Sequence, residues 1–241
     1  MAQTRTVALT FDDLPAAGTQ DAAEAESFDR AILDSLTKHH AAAIGFVNEK
    51  KVVELGVKRV LEQWVSLGFD LGNHTFSHAD LNSLTLEQFE QEVISGEASF
   101  VPALAKAGKA SLYLRFPYNH TGDTAAKHDS VAAFLKQRGY KVAACTIDNE
   151  DYLFNEAYRR ILENKDGESA AKLRAEYLAY TATEIDYYTA LHKRVFGREI
   201  PHVMLFHVIS RQSAQRRSDG PPSRYFRGQT LPFCESRCCA V

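Results

Sequence analysis

The sequence predicts an α/β protein with parallel strands inside and helices outside, arranged as a single barrel. Short apolar runs alternate with amphipathic helical segments along most of the chain. The 241 residues suffice for one large core of this kind. Polar residues suited to chemistry follow strand after strand at the C-terminal end, the face on which β/α barrels build their sites.

Composition narrows the function classes. Hydrophobic residues make up 45% and charged residues 24%, an ordinary globular balance, and the net charge of −3 gives no reason to expect nucleic-acid or membrane-surface binding. No apolar run approaches the roughly 20 residues of a membrane span. Cys145 stands alone, while Cys234, Cys238 and Cys239 crowd the C-terminus, which is neither a disulfide framework nor a zinc ribbon.

The first strand, Val7-Ala8-Leu9-Thr10-Phe11, runs into Asp12 and Asp13, and Leu14-Pro15 then turns the chain into a loop. Neighbouring strand residues point to opposite faces, so the two carboxylates are expected to do different jobs. A plain turn or helix-capping pair is the alternative. A helix is expected over residues 22–40, with Phe28, Ile32, Leu33 and Leu36 on one face, followed by a buried strand at 43–47. Residues 57–67 form an amphipathic helix with Val60, Leu61, Trp64 and Val65 inward, stopped by Gly68. A third strand at 69–73 leads into His74-Thr75-Phe76-Ser77-His78. Thr85 and Gln88 fit a capping box opening a helix that continues towards Leu104. Residues 112–116 read as strand four, 124–138 as a helix ended by Gly139, and 141–147 as strand five. A tyrosine-rich, charge-rich helical segment occupies 155–196, broken near Asp166-Gly167, and 201–207 is the last strand.

Several of these strand ends carry candidate chemistry. His74 and His78 are spaced i, i+4, so on one helical turn both rings could bind one metal. No Glu stands between them, which argues against a zinc-protease motif and calls for a carboxylate from elsewhere. The Asp12-Asp13 pair is the best supplier, and two histidines with one aspartate and an open position is the usual form of a catalytic zinc-type site. One carboxylate would ligate while the other takes a proton from metal-activated water. Arg115 is placed to hold the free carboxylate, with a surface ion pair as its bland alternative. His207 reads either as a satisfied core histidine or as a general acid whose other nitrogen is held by Asp151. His39 and His40 close a helix, where positive charge is favoured. His120 could line the cleft, and Cys145 reads as a small buried hydrophobe.

Five motifs in order resemble the NodB-homology polysaccharide deacetylases, metal-dependent carbohydrate esterases: Thr10-Phe11-Asp12-Asp13, His74-Thr75-Phe76-Ser77-His78, Arg115-Phe116-Pro117-Tyr118, Asp148-Asn149-Glu150-Asp151-Tyr152 and Leu205-Phe206-His207. The resemblance implies a distorted, incomplete (β/α) barrel and hydrolysis of acetyl groups from an N- or O-acetylated carbohydrate of the chitin, peptidoglycan or acetylated-xylan type. It implies one divalent metal ion, zinc in first place and cobalt or another transition metal next, held by Asp13, His74 and His78. Asp12 would be the catalytic base on the metal-bound water, oriented by Arg115, and His207 the general acid tuned by Asp151. The Tyr118 amide would stabilise the oxyanion. Leu205 would line the acetyl pocket, with Pro117 and Tyr152 beside the groove. Tyr152 stands where the family usually has Trp, and the helical segment is longer than the family's connection there.

Magnesium-dependent phosphoryl transfer with Asp12 as nucleophile is a rival expectation, although histidine ligands favour a zinc-type ion. A non-catalytic carbohydrate-binding protein on the same scaffold is another. The expected organisation is a barrel over residues 1–209, with a helical insertion at about 153–197 and an Arg/Ser/Cys-rich tail at 210–241 outside the catalytic core. Met1-Ala2-Gln3-Thr4 reads as an initiator placed before a mature N-terminus, so export to the periplasm or outside the cell is expected.

Overall fold

The computed structural model describes residues 6–209. Its strands are β1 (Val7–Ala17), β2 (Ala43–Val47), β3 (Asp70–Asn73), β4 (Leu112–Leu114), β5 (Tyr140–Val142), β6 (Ile147–Asp148) and β7 (His202–Ile209). The helices are α1 (Ala22–Lys38), α2 (Glu49–Leu55), α3 (Lys58–Ser66), α4 (Leu86–Ser95), α5 (Phe100–Lys106), α6 (Ala125–Gln137), α7 (Asp151–Glu163) and α8 (Gly167–Phe196). All strand pairings are parallel, in the order β5-β4-β3-β2-β1-β7-β6, and the sheet is open between β5 and β6. This is the distorted, incomplete (β/α) barrel expected.

Strand alternation sorts the side chains into two environments. Outward-facing Phe11, Val47, Leu71, Met204, Phe206 and Val208 join Leu33, Leu36, Val60, Leu61, Trp64 and Phe100 in the main core. Each fully buried apolar side chain of this size stabilises the fold by about 1.5–3 kcal/mol. Trp64 also donates its indole N–H to the buried carboxyl of Asp29 at 3.0 Å, and burial holds the Asp29 pKa well above the usual carboxylate range. A second cluster under α4 and α6 contains Phe89, Val93, Leu114, Phe116, Val131 and Leu135. The inner face of the barrel instead carries Thr10, Asp12, Phe46, Arg115, Leu205 and His207. Gly72 leaves the room Phe46 needs there, since a Cβ at Gly72 would lie 2.5 Å from the Phe46 ring.

Helix starts follow local capping chemistry. Asp21, Asn48, Thr85, Thr124 and Asp166 each accept a backbone N–H at the start of α1, α2, α4, α6 and α8, and Thr85 with Gln88 forms the expected capping box. Each such cap contributes about 1 kcal/mol.

Several boundaries differ from the sequence expectation. The run read as strand five is two strands on opposite edges of the sheet. Ala143 N–H still donates to Leu114 beside β4, whereas Thr146 N–H donates to Val203 on β7, so the pairing partner changes across Ala144-Cys145. The helix expected to reach Leu104 is α4 and α5, separated at Gly96. Residues 14–17, read as loop, continue β1. Helix α2 went unread because its seven residues are too few to display a helical period. Asp151, expected near a strand end, opens α7.

Candidate active site

The two aspartates do not diverge as a regular strand would require. Asp13 has φ of 68°, and the β1–β2 register shifts between Phe11 and Leu14. This bulge re-aims a side chain at a functional rim, as bulges commonly do. Both carboxylates therefore reach one nitrogen: Asp12 Oδ2 and Asp13 Oδ1 are each 3.7 Å from His74 Nε2. The expectation of opposite directions is corrected on this point.

Nor do His74 and His78 share a helical turn. Residues 74–78 form an irregular loop, with φ of 66° at Thr75 and 61° at His78. Asn73 stabilises this path through its buried amide. Its Oδ1 accepts the Thr75 N–H at 2.8 Å, and its Nδ2 donates to Val93 O and Tyr140 Oη, both at 2.8 Å. Glu92 accepts from the Ser77 N–H at 2.7 Å and from its hydroxyl at 2.8 Å, and Thr75 Oγ1 accepts the His78 N–H at 3.1 Å. The histidine rings meet edge to face at 4.8 Å, so proximity survives although its expected cause does not.

Asp13, His74 and His78 bring one donor atom each to within 4.8 Å of one another, with His78 Nε2 3.5 Å from Asp13 Oδ1. The chemistry of this set fits a divalent cation. His74 Nδ1 lies 2.9 Å from the Arg115 carbonyl, which can only accept, so Nδ1 carries the proton and the Nε2 lone pair faces the carboxylates. Burial lowers the His74 pKa to about 4, keeping the ring neutral. A neutral imidazole lone pair surrounded by carboxylate oxygens is a ligand set for a borderline ion of the zinc type.

Asp12 and Arg115 form a buried ion pair without a hydrogen bond. Arg115 Nη1 is 3.9 Å from Asp12 Oδ2, while Nη2 donates to Thr10 Oγ1 at 3.0 Å and the guanidinium lies over Phe46 at 5.1 Å. Thr10 in turn donates to Met204 O on β7 at 2.8 Å. Among the described residues Asp12 Oδ1 has no hydrogen-bond partner. Burial raises the Asp12 pKa to about 6, against the lowering influence of Arg115 and His207.

His207 faces Asp12 across adjacent strands, because Asp12 pairs with His207 in the β1–β7 register. Asp151 holds it twice: Oδ1 contacts His207 Nδ1 and Oδ2 accepts the His207 backbone N–H, both at 2.7 Å. Burial alone would lower the His207 pKa, but the Asp151 hydrogen bond and charge, with Asp12 and Asp13 beyond, raise it to about 9. His207 is thus a charged imidazolium at neutral pH.

The remaining predicted residues surround this centre. Leu205 is buried two residues before His207, level with Thr10, and Pro117 is buried in a 3-10 turn. Tyr118 is 61% exposed with φ of 58°, and its ring meets His78 at 4.8 Å. Tyr152 is 45% exposed and meets the His207 ring at 5.8 Å. His120 pairs with Asp80 at 2.8 Å on the rim. Cys145 is half-buried, donates to Ile147 O, and burial pushes its thiol up to about 11, in keeping with an inert side chain.

The sequence places Thr10 and Asn149 within motifs but gives them no role, although they support Arg115 and Asp151. For Thr10 the signal was its i, i+2 relation to Asp12 on a strand, which puts both on one face. For Asn149 no local pattern pointed to the role, since its partner Tyr177 lies 28 residues away.

Comparison with known proteins converges on the same region. The family model described as polysaccharide deacetylase matches residues 2–143. The chain is 30% identical over 148 residues to a chitin deacetylase of Arthroderma benhamiae, covering 61% of this chain and 35% of that one. It is 28% identical over 149 residues to a peptidoglycan-N-acetylglucosamine deacetylase of Bacillus cereus, covering 61% and 46%. It thus spans less than half the length of these curated relatives. In fold it resembles a family 4 carbohydrate esterase from Streptomyces lividans in complex with acetate, with a TM-score of 0.53, 20% identity and coverage of 88% and 82%. It also resembles a family 4 pseudoenzyme from Bacillus anthracis, with a TM-score of 0.58, 16% identity and coverage of 88% and 57%. With more than half of its length matched by the family model, over a stretch that holds the aspartate pair, the histidine loop and Arg115, the chain belongs to the polysaccharide deacetylase family.

Proposed function

We propose that this chain is a metal-dependent hydrolase that removes acetyl groups from an N- or O-acetylated carbohydrate. The observation that carries the reading is the meeting of Asp13, His74 and His78 beside Asp12, with the Asp151-held His207 paired across the sheet from Asp12. The relatives named for chitin and peptidoglycan deacetylation direct the substrate towards acetamido sugars, with acetylated xylan as the ester alternative. Export from the cytoplasm suits such polymers. The catalytic unit is residues 1–209, including the helical insertion at about 153–197. The tail at 210–241 and the first residues, on which the export reading rests, lie outside the described residues.

Asp13, His74 and His78 would hold the cation, and zinc suits their donors. When bound, such an ion supplies a Lewis acid that acidifies water and polarises the acetyl carbonyl. Asp12 presents an oxygen without a hydrogen-bond partner and takes the proton of the attacking water. Arg115 keeps Asp12 ionised by its nearby charge, and Thr10 with Phe46 keeps Arg115 in place. The Tyr118 amide stabilises the developing oxyanion, a contribution of about 3 kcal/mol for a single donor in comparable sites. His207 delivers its ring proton to the leaving nitrogen or oxygen while Asp151 retains the charge pairing at Nδ1. Leu205 receives the acetyl methyl, and Pro117 and Tyr152 border the groove.

The test combines metal analysis with acetate release from chitin oligomers, peptidoglycan and acetylated xylan. Chelation is expected to abolish release, and zinc or cobalt to restore it. Asp13→Ala should lose both metal and rate, because only Asp13 faces both histidines. Asp12→Asn should retain metal and lose about 10²–10⁴ in rate. Full activity after thorough demetallation, or equal metal loss in the two variants, overturns the assignment. Phosphate release from an aryl phosphate with magnesium would favour the phosphoryl-transfer rival instead.

A further inference from the structure

We propose that Tyr177, on the insertion helix α8, is a positioning residue for the general acid, acting on His207 through Asn149 and Asp151. The inference rests on His207 being the proton donor. Tyr177 itself lies outside all five motifs, whereas Asn149 and Asp151 belong to the fourth.

The path is continuous and buried. Asn149 Nδ2 donates to Tyr177 Oη at 2.8 Å, and Asn149 Oδ1 accepts the Asp151 N–H at 3.3 Å. Asn149 is 0% exposed and Tyr177 6%, so water does not readily replace these partners. Asp151, the first residue of α7, then grips His207 with both carboxylate oxygens. An amide anchored at its nitrogen end presents its oxygen in one orientation, and here that orientation fixes the start of α7 and the carboxylate on its first residue. The turn needs such an anchor. Glu150 has φ of 51° and makes no side-chain cap to α7, so the usual N-cap device is missing. Tyr180, one turn along α8, lies within electrostatic reach of the Glu150 carboxylate, and the Phe154 ring packs on Tyr177 and Tyr180 at 5.1 and 5.3 Å. The insertion therefore clamps the segment that aims the acid.

The experiment uses the full chain loaded with zinc and compares two acetyl donors. A chitin oligomer has a poor amine leaving group and needs the acid, whereas an aryl acetate has a good leaving group and does not. Tyr177→Phe keeps the ring and removes the hydroxyl. It is expected to lower kcat on the oligomer about tenfold, the usual cost of losing a supporting partner. KM, zinc affinity and aryl acetate turnover should stay within about twofold of wild type. Tyr158→Phe is the control. Tyr158 also joins α7 to α8, through Arg174 at 2.9 Å, and its loss leaves the Asn149–Tyr177 hydrogen bond itself in place, so Tyr158→Phe should leave both activities near wild type. In the metal-free protein, the His207 Nδ1 proton should exchange with water faster in Tyr177→Phe than in Tyr158→Phe. Equal effects of the two variants on kcat and exchange would mean that the hairpin matters only for stability, and overturn the inference. His207→Asn separates the underlying reading. If it slows both substrates alike, His207 is not the acid. If it slows only the oligomer while Tyr177→Phe slows neither substrate and leaves the exchange unchanged, the positioning role alone falls.

Discussion

Asp12 and His207 face each other across two hydrogen-bonded strands, and both have raised pKa values for different reasons. Burial lifts Asp12 to about 6, while Asp151 outweighs burial to lift His207 to about 9. In the proposed roles, Asp12 works as a base when deprotonated and His207 as an acid when protonated, so both would be in their working forms between these values. Deacetylation of an acetamido sugar should therefore rise as pH climbs through about 6 and fall above about 9. A cation beside Asp13 adds positive charge near Asp12 and moves the lower limb to more acidic pH. The upper limb should disappear with an aryl acetate, whose leaving group needs no proton. An upper limb that persists unchanged with that substrate would show that it belongs to another group. The same shift carries a stability consequence. The His207 pairing contributes fully below its unfolded pKa of about 6.5 and is lost as pH rises through about 9.

Among the elements, the histidine loop shows how far a one-dimensional pattern reaches. The i, i+4 spacing correctly marked His74 and His78 as partners, yet the loop is not helical. Its shape is dictated by Asn73 and Glu92, the second of them on α4, and no local period reports such contacts. The aspartate pair is similar. Adjacent carboxylates were visible, but the bulge at Asp13 that turns both towards His74 was not. Strand existence was legible wherever apolar runs were bounded by Gly or Pro. The division between β5 and β6 was not, because both halves have the same character and differ only in the strand each one pairs with. Gly96 tests the loop's dependence on α4. A Cβ there would lie 2.5 Å from Asn73 Oδ1 and 3.1 Å from the Thr75 carbonyl carbon, although its φ of −65° suits any residue. Gly96→Ala should therefore weaken zinc binding about tenfold or more by displacing the loop, with a stability cost of about 1–3 kcal/mol. Zinc titration and thermal melting would check this, and wild-type affinity would show that the loop is set elsewhere.

At the scale of the whole molecule, every candidate residue lies within 6–209, so cutting the chain after Ser210 should preserve zinc content and most acetate release. Loss of metal or of folding in the truncated protein would show that residues 210–241 pack on the barrel. The body's own integrity depends on how its sheet ends. Between β5 and β6 the edges are joined by no ladder; Ala143 is tied to one edge, Thr146 to the other, and Ala144-Cys145 bridges them. A ladder can unzip one rung at a time, whereas this closure is a covalent buckle with two residues of slack, about 10 Å from Ala143 to Thr146 when drawn straight. It limits the girth of the barrel by capping how far those two edges can part. Asp13, His74 and His78 sit on the far side of that girth, around β1 and β3, while Arg115 and Asp151-His207 flank the buckle from its two ends. Lengthening the strap would let those two edges part, whereas Asp12 and His207 would keep their spacing, because the β1–β7 rung they share, and not the strap, holds them together.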